Sequence, residues 1–319
     1  MKFQSEFKTL QYVIKKASHI LLFAHDDPDG DAIGSNFALK YYLEGLNKKA
    51  DVACFTPLPN YLQKTIKPKE LLPADKIDFN QYEAVIACDS VERGFNRIKN
   101  KLPQNTVTVI IDHHPDISIQ EDINIVDASY SSACEIVFDF LTFVHAPITP
   151  QIASLILTGI LGDTGNLQHT NTTAKVMSAV AELIRRGASL PKIINSTFAN
   201  KKISTLKLWG RAFDKAQINP KNKMITTVIT QADLKECKAK AEDIGEIASI
   251  LNTIPGTRFS LVLTQKDDFT IKGSLRSEEY KGIDVSAIAH KLGGGGHKLA
   301  SGFTIKGRIL EKNNQWKII

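Results

Sequence analysis

Short apolar runs alternate with helical patterns from about residue 5 to residue 187. Ile20 to Ala24 and Ala84 to Cys88 are apolar on consecutive positions, and Val107 to Ile111 at every position but Thr108, as expected of short parallel strands covered on both faces. Val52 to Phe55 is a further strand candidate. Ala32 to Leu46, Ser132 to Val144 and Pro150 to Leu161 carry helical spacing, and Thr172 or Thr173 can cap a helix that runs to Gly187. This alternation predicts an α/β fold with an open, mostly parallel sheet flanked by helices. The pattern then changes. Residues 188–213 form a lysine-rich, mostly helical connector, and residues 214–319 predict a smaller α/β domain with a mixed sheet. Its strands are expected near 224–230, 258–264, 269–274 and 302–305, with helices across 241–251 and from Asp284 to His290.

Polar motifs stand where the apolar runs of the first part stop. Ile20 to Ala24 leads into His25-Asp26-Asp27-Pro28-Asp29-Gly30-Asp31. Ala84 to Cys88 leads into Asp89-Ser90, and Val107 to Ile111 into Asp112-His113-His114. The apolar stretch 152–161 ends in Gly162-Asp163-Thr164-Gly165. In open parallel sheets, ligands bind outside the carboxyl ends of the strands, so convergence of these motifs follows from topology as well as residue type. Crowded carboxylates repel unless a cation neutralises them. Mixed imidazole and carboxylate donors suit manganese, with cobalt, iron or zinc less specific and magnesium favouring oxygen. Two such ions about 3.5–4 Å apart can serve an in-line displacement at phosphorus.

Rival readings of the same residues are weaker. Asp27, Asp29 and Asp31 resemble the start of a calcium loop, but Ala32 and Ala38 stand where its glycine and closing glutamate belong. Asp163-Thr164-Gly165 occurs once and follows a helical stretch, against an aspartic protease. No G-x-S-x-G elbow or P-loop is present. Near the far end, Ser274-Leu275-Arg276-Ser277 and the run Gly293-Gly294-Gly295-Gly296-His297 stand out. Arg276 could hold a phosphate through paired hydrogen bonds, and the glycine amides could wrap one.

The 319 residues favour two domains, and 43% hydrophobic with 23% charged residues is an ordinary globular composition. No run approaches a membrane span, and the N-terminus lacks a signal-peptide core. The four cysteines are far apart and suit a reducing cytosol, so a cytoplasmic location is expected. The net charge of +6 lies in short basic clusters; it is either a solvated surface or a field that attracts an anionic substrate.

Together these motifs resemble the DHH phosphoesterase family, in the branch that carries a DHH-associated C-terminal domain and degrades nanoRNA and pAp. The resemblance spans almost the whole chain and implies a DHH domain over 1–187, a connector over 188–213 and a substrate-binding domain over 214–319, with the active site in the cleft between the domains. It implies that His25, Asp29 and Asp89 hold one Mn2+, and that Asp31, Asp89, His113 and Asp163 hold the other, with Asp89 bridging. Mg2+, Co2+ or another divalent ion are alternatives. Asp112 would orient a histidine from behind, and His114 would sit against the scissile phosphate. Arg276, Ser277, Gly294, Gly295, Gly296 and His297 would grip the substrate's far end. Asp26 departs from the small or polar residue expected after the first histidine.

The expected reaction is hydrolysis of very short single-stranded RNA by a metal-bridging hydroxide, with pAp as a second substrate. A phosphodiesterase for cyclic dinucleotides or their linear products is the nearest enzymatic alternative, and a metal-stabilised RNA-binding protein without turnover the alternative of another class. No membrane partner is expected, and a homodimer is one of the oligomeric states left open.

Overall fold

Burial on both faces explains the apolar runs of the N-terminal half. In the computed structural model, β1 (His19–Phe23), β2 (Lys49–Cys54), β3 (Leu71–Pro73), β4 (Ala84–Cys88), β5 (Val107–Asp112) and β6 (Ile123–Val126) form one sheet in the order β3-β2-β1-β4-β5-β6. Every neighbouring pair is parallel. The structure describes residues 2–63, 66–90, 94–114, 120–197, 201–312 and 315–319, with the side chains of His297 and Lys312 outside the described part.

The helices of this half are α1 (Gln4–Lys16), α2 (Gly30–Gly45), α3 (Asn96–Lys99), α4 (Ala133–Phe143), α5 (Pro150–Asp163), α6 (Ala174–Arg185) and α7 (Leu190–Thr197). Alternate strand residues feed two cores. Ile20, Leu22, Ile86 and Val109 join Phe7, Phe37, Phe140 and Ile156 on one face. Leu21, Phe23, Val85 and Ala87 join Phe79, Phe95 and Ile98 on the other.

Two helices approach unusually closely. A Cβ on Gly34 of α2 would lie 2.5 Å from the Leu155 carbonyl oxygen of α5, and a Cβ on Gly159 of α5 would lie 2.9 Å from the Asp31 Cα. Glycine is therefore required at this crossing, which sets the start of α2 beside the last turns of α5. The strand order reverses direction between β1 and β4, so the crevice favoured for ligands opens at the carboxyl ends of those two strands.

The chain divides into two units, Met1–Asn200 and Lys201–Ile319. The division falls inside the stretch expected as a connector: α7 contributes Ile193 to the first core, and α8 (Ile203–Asp214) contributes Leu208 and Ala212 to a core of the second unit.

The second unit contains β7 (Gln217–Ile218), β8 (Met224–Ile229), α9 (Gln231–Cys237), α10 (Ile247–Asn252), β9 (Phe259–Asp267), β10 (Thr270–Arg276), α11 (Val285–Lys291), β11 (Gly295–His297) and β12 (Ala300–Lys306). Its sheet runs β11-β12-β10-β9-β8-β7. It is mixed, with β8–β9 parallel and the other pairs antiparallel. A separate hairpin joins β13 (Ile309–Lys312) and β14 (Gln315–Ile318). The helix expected over 241–251 is instead a 3-10 turn, Ala241–Ile244, and then α10, with Gly245 at the break; glycine is a poor helix former. Among the described residues, no helix is long and apolar enough to cross a membrane.

Candidate metal centre

Five donor residues of the first unit stand at element ends, and a sixth, Asp31, lies in the first turn of α2. His25 lies two residues past β1, Asp89 directly follows β4, and His113 directly follows β5. Asp29 is the N-cap of α2; its Oδ1 accepts from the amides of Asp31 and Ala32 at 3.0 and 3.1 Å. That cap turns the other oxygen toward His25. Asp163 ends α5, delivered by the glycine crossing. Asp89 has a left-handed backbone, φ 51°, a conformation that favours glycine and that aspartate tolerates at functional turns.

The donors converge. His25 Nε2 lies 3.4 Å from Asp89 Oδ2 and 3.8 Å from Asp29 Oδ2. His113 Nε2 lies 3.0 Å from Asp163 Oδ2 and 3.9 Å from both Asp31 Oδ2 and Asp89 Oδ1. The two oxygens of Asp89 thus face different imidazoles. Three overlapping sets bring their donor atoms within 4.8 Å of one another: His25, Asp29 and Asp89; Asp31, His113 and Asp163; and Asp89, His113 and His114.

The chemistry of the set fits divalent cations. His25 Nδ1 donates to the Asp26 carbonyl at 2.6 Å, which leaves Nε2 to face the carboxylates. That Nε2 and Asp89 Oδ1 are buried and have no hydrogen-bond partner; buried polar atoms without partners are costly unless something else satisfies them.

Electrostatics point the same way. Burial alone would lower His25, but the facing carboxylates of Asp29 and Asp89 outweigh it and push it up to about 10. His113 also rises to about 10, with Asp163 overcoming the effect of burial. Burial lifts Asp163 to about 6, although His113 pulls it down. Asp31, fully buried, is driven well above the usual carboxylate range by burial and by Asp163 and Asp89. Its oxygens accept from the Ala133 and Cys134 amides at 2.7 and 2.8 Å, at the start of α4, where the helix dipole favours negative charge. Without a cation, the cluster retains protons that a divalent ion would displace.

Asp112 braces the neighbouring histidines. Its Oδ1 accepts from the His113 and His114 amides at 2.8 and 3.0 Å and from His114 Nδ1 at 2.6 Å. Burial acts to raise Asp112, but the His114 contacts prevail and lower it.

Other residues around the centre carry no recognisable motif. The Asp26 carboxylate accepts from Arg97 Nη1 at 2.7 Å, and the Arg97 guanidinium lies over the Phe55 ring at 3.6 Å. Asp26 therefore serves from behind, through a carbonyl that fixes His25 and a side chain held by Arg97. Asn171 Nδ2 donates to the Asp163 carbonyl at 3.2 Å and to Ser131 O at 3.3 Å. Tyr61 lines a cavity of about 190 Å³ with Asp29, Gly30, Gly162 and Asp163. Only the tertiary structure brings Arg97, Asn171 and Tyr61 to the centre.

In the second unit, Arg276 and His297 pair across β12 with the same residue, Ala300, so the sheet sets their backbones on one rung. Arg276 is half-buried, Nη1 donates to Leu275 O at 2.8 Å, and burial lowers it. The Ser277 hydroxyl donates to Arg258 O at 3.2 Å. The Gly293 and Gly294 amides close α11 through His290 O and Ala289 O at 3.0 and 2.9 Å. A Cβ on Gly294 would lie 2.1 Å from Gly302 O. Close packing on β12 therefore requires glycine there, and Gly295 and Gly296 continue as paired strand.

Residues 19–160 match the DHH family, N-terminal domain, and residues 221–316 match the DHHA1 domain. The chain is 31% identical over 294 residues to the bifunctional oligoribonuclease and PAP phosphatase NrnA of Thermus thermophilus, covering 92% of this chain and 86% of that protein. It shares its fold with an exopolyphosphatase-related protein from Bacteroides fragilis, at a TM-score of 0.86 and 23% identity, over 94% of this chain and 91% of that one. RecJ from Thermus thermophilus in complex with Mn2+ also aligns, with a TM-score of 0.54 and 13% identity over 94% of this chain and 51% of that one.

Proposed function

Because the chain belongs to the DHH family and carries its N-terminal domain followed by a DHHA1 domain, we propose that it is a manganese-dependent phosphoesterase that hydrolyses very short RNA and pAp. The observation that carries this reading is the Asp89 carboxylate, whose two oxygens face His25 and His113 at 3.4 and 3.9 Å. The similarity to the oligoribonuclease and PAP phosphatase supports the substrate class, and the Mn2+ complex of RecJ supports the ion.

His25, Asp29 and Asp89 would hold one ion, and Asp31, Asp89, His113 and Asp163 the second. Bound there, two divalent ions would activate water and offset charge at phosphorus. The chain's own residues set up the rest. Asp112 holds His114 through Nδ1, and His114 would donate a proton to a phosphoryl or leaving oxygen. Asp26 and Arg97 keep His25 in one tautomer. In the second unit, Arg276, Ser277, Gly294, Gly295, Gly296 and His297 would bind the part of the substrate away from the cleaved ester, with Arg276 as the cation.

The test is a turnover panel with Mn2+ on a dinucleotide RNA, a longer RNA, pAp, a cyclic dinucleotide and pyrophosphate. The dinucleotide and pAp should be hydrolysed fastest, and chelation should stop both. Preference for the cyclic dinucleotide would move the assignment to the phosphodiesterase reading. Binding of the dinucleotide without hydrolysis of any compound would leave a binding protein.

A further inference from the structure

The loop between β2 and β3 supplies a residue that no motif marks. Tyr61 sits in a 3-10 turn, Asn60–Leu62, held by the buried Leu62 and by Gln63 Nε2, which donates to Leu58 O and Asn60 Oδ1, both at 3.1 Å. Tyr61 is 39% exposed and lines the cavity of about 190 Å³ with Asp29, Gly30, Gly162 and Asp163.

Its hydroxyl differs from those of three other tyrosines of the same unit. Tyr41, Tyr82 and Tyr130 each donate to a carboxylate, Glu70, Asp51 and Asp139, at 3.0, 3.0 and 2.8 Å. Among the described residues, no hydrogen-bond partner takes up the Tyr61 hydroxyl. Glycine lines the cavity at two places, and a Cβ on Gly162 would meet nothing within 4 Å. The recess is smaller than the roughly 300–1,000 Å³ of sites that enclose a drug-sized ligand, so it suits one sugar rather than a whole nucleotide.

We propose that Tyr61 touches the substrate: its hydroxyl donates a hydrogen bond to a phosphoryl oxygen of the ester being cleaved, and its ring walls the recess that takes the adjoining sugar. This rests on the phosphoesterase reading above. The chemistry suits the position. A tyrosine phenol is protonated near neutral pH, so it offers a hydrogen-bond donor. A phosphoryl oxygen gaining negative charge is the acceptor such a donor stabilises.

Tyr61→Phe keeps the ring and removes the donor. It should lower kcat by about 10- to 100-fold, at or below the range for losing one oxyanion donor because two cations share the charge, with KM held within about twofold. Tyr61→Ala should raise KM as well. Calorimetric Mn2+ binding should match wild type in both variants, and AMP binding to the Mn2+-loaded protein should weaken severalfold in Tyr61→Phe. Unchanged kcat and AMP affinity in Tyr61→Phe would overturn the proposal, as would a loss of Mn2+ binding that accounts for the lower rate. Failure of the wild-type protein to hydrolyse dinucleotide or pAp would instead sink the phosphoesterase reading, and the AMP measurement would still decide the contact.

Discussion

Both units bury carboxylates, and they neutralise them in opposite ways. In the second unit, Lys215 Nζ reaches Asp233 Oδ1 and Oδ2 at 2.8 and 2.7 Å and Glu311 at 2.5 Å. Asp233 also accepts from the Thr230 amide and hydroxyl, both at 2.8 Å, which completes the cap of α9. This acid carries its cation with it. In the first unit, Asp29, Asp31, Asp89 and Asp163 meet around two histidines, and Asp89 Oδ1 and His25 Nε2 stay without hydrogen bonds. A lysine ends in one fixed charge on a long stem. An imidazole–carboxylate cluster leaves a space that only a compact ion of higher charge fills well. Burial of acid is common to both; the difference between a brace and a reaction centre is where the positive charge comes from.

The largest effect expected from breaking this contrast is at Asp89. Asp89→Ala should lower Mn2+-dependent turnover by about 1,000-fold or more, beyond the 10–100-fold typical of an outer partner, with an unchanged circular dichroism spectrum. Near-normal turnover would remove Asp89 from the centre. Lys215→Met should do the reverse. It leaves the buried Asp233 with only the longer cation contact to Arg211 Nη1 at 3.4 Å and should destabilise the second unit by about 3 kcal/mol, the low end for breaking a buried pair, measured by urea unfolding, while kcat per folded molecule is unchanged.

The two regions should also answer pH in opposite directions. His25 and His113 bind protons more tightly folded, at about 10, than unfolded, at 6.5. Their stabilisation is complete below pH 6.5 and is lost as pH rises through 10. Asp163, raised to about 6 from 3.8, acts in the same direction at lower pH. In chelator, thermal unfolding of the first unit should therefore shift to lower temperature as pH rises. Mn2+ affinity should climb by about tenfold per pH unit for each proton displaced. Asp233 is different: burial acts to raise it, but Lys215 and Thr230 hold it below its ordinary value. Its contribution is present above pH 3.8 and is lost as pH falls through the folded value, so the second unit should weaken in acid. Equal pH profiles for the two units would erase the distinction. The smallest effect is expected from Thr230→Ala, which removes the cap hydroxyl and should cost about 0.5–2 kcal/mol without altering Mn2+ binding.

The amino-acid order by itself determined the parallel strands, because residues buried on both faces must be apolar in succession, and it placed polar donors where those strands stop. Chain-local signals also offered Asp284 and one of Thr172 and Thr173 as helix caps, and the structure uses Asp284 and Thr173. Short β3 and β6 escaped notice because three or four residues carry too little periodicity, and Gly245 split a helix that its neighbours would have continued. Tertiary structure decided which donors meet. The close contact at Gly34 and Gly159 sets Asp163 beside Asp31, and the reversal between β1 and β4 sets Asp89 between His25 and His113. It also recruited Tyr61, Arg97 and Asn171 from segments with no distinguishing pattern, since proximity across the fold leaves no local trace in the chain.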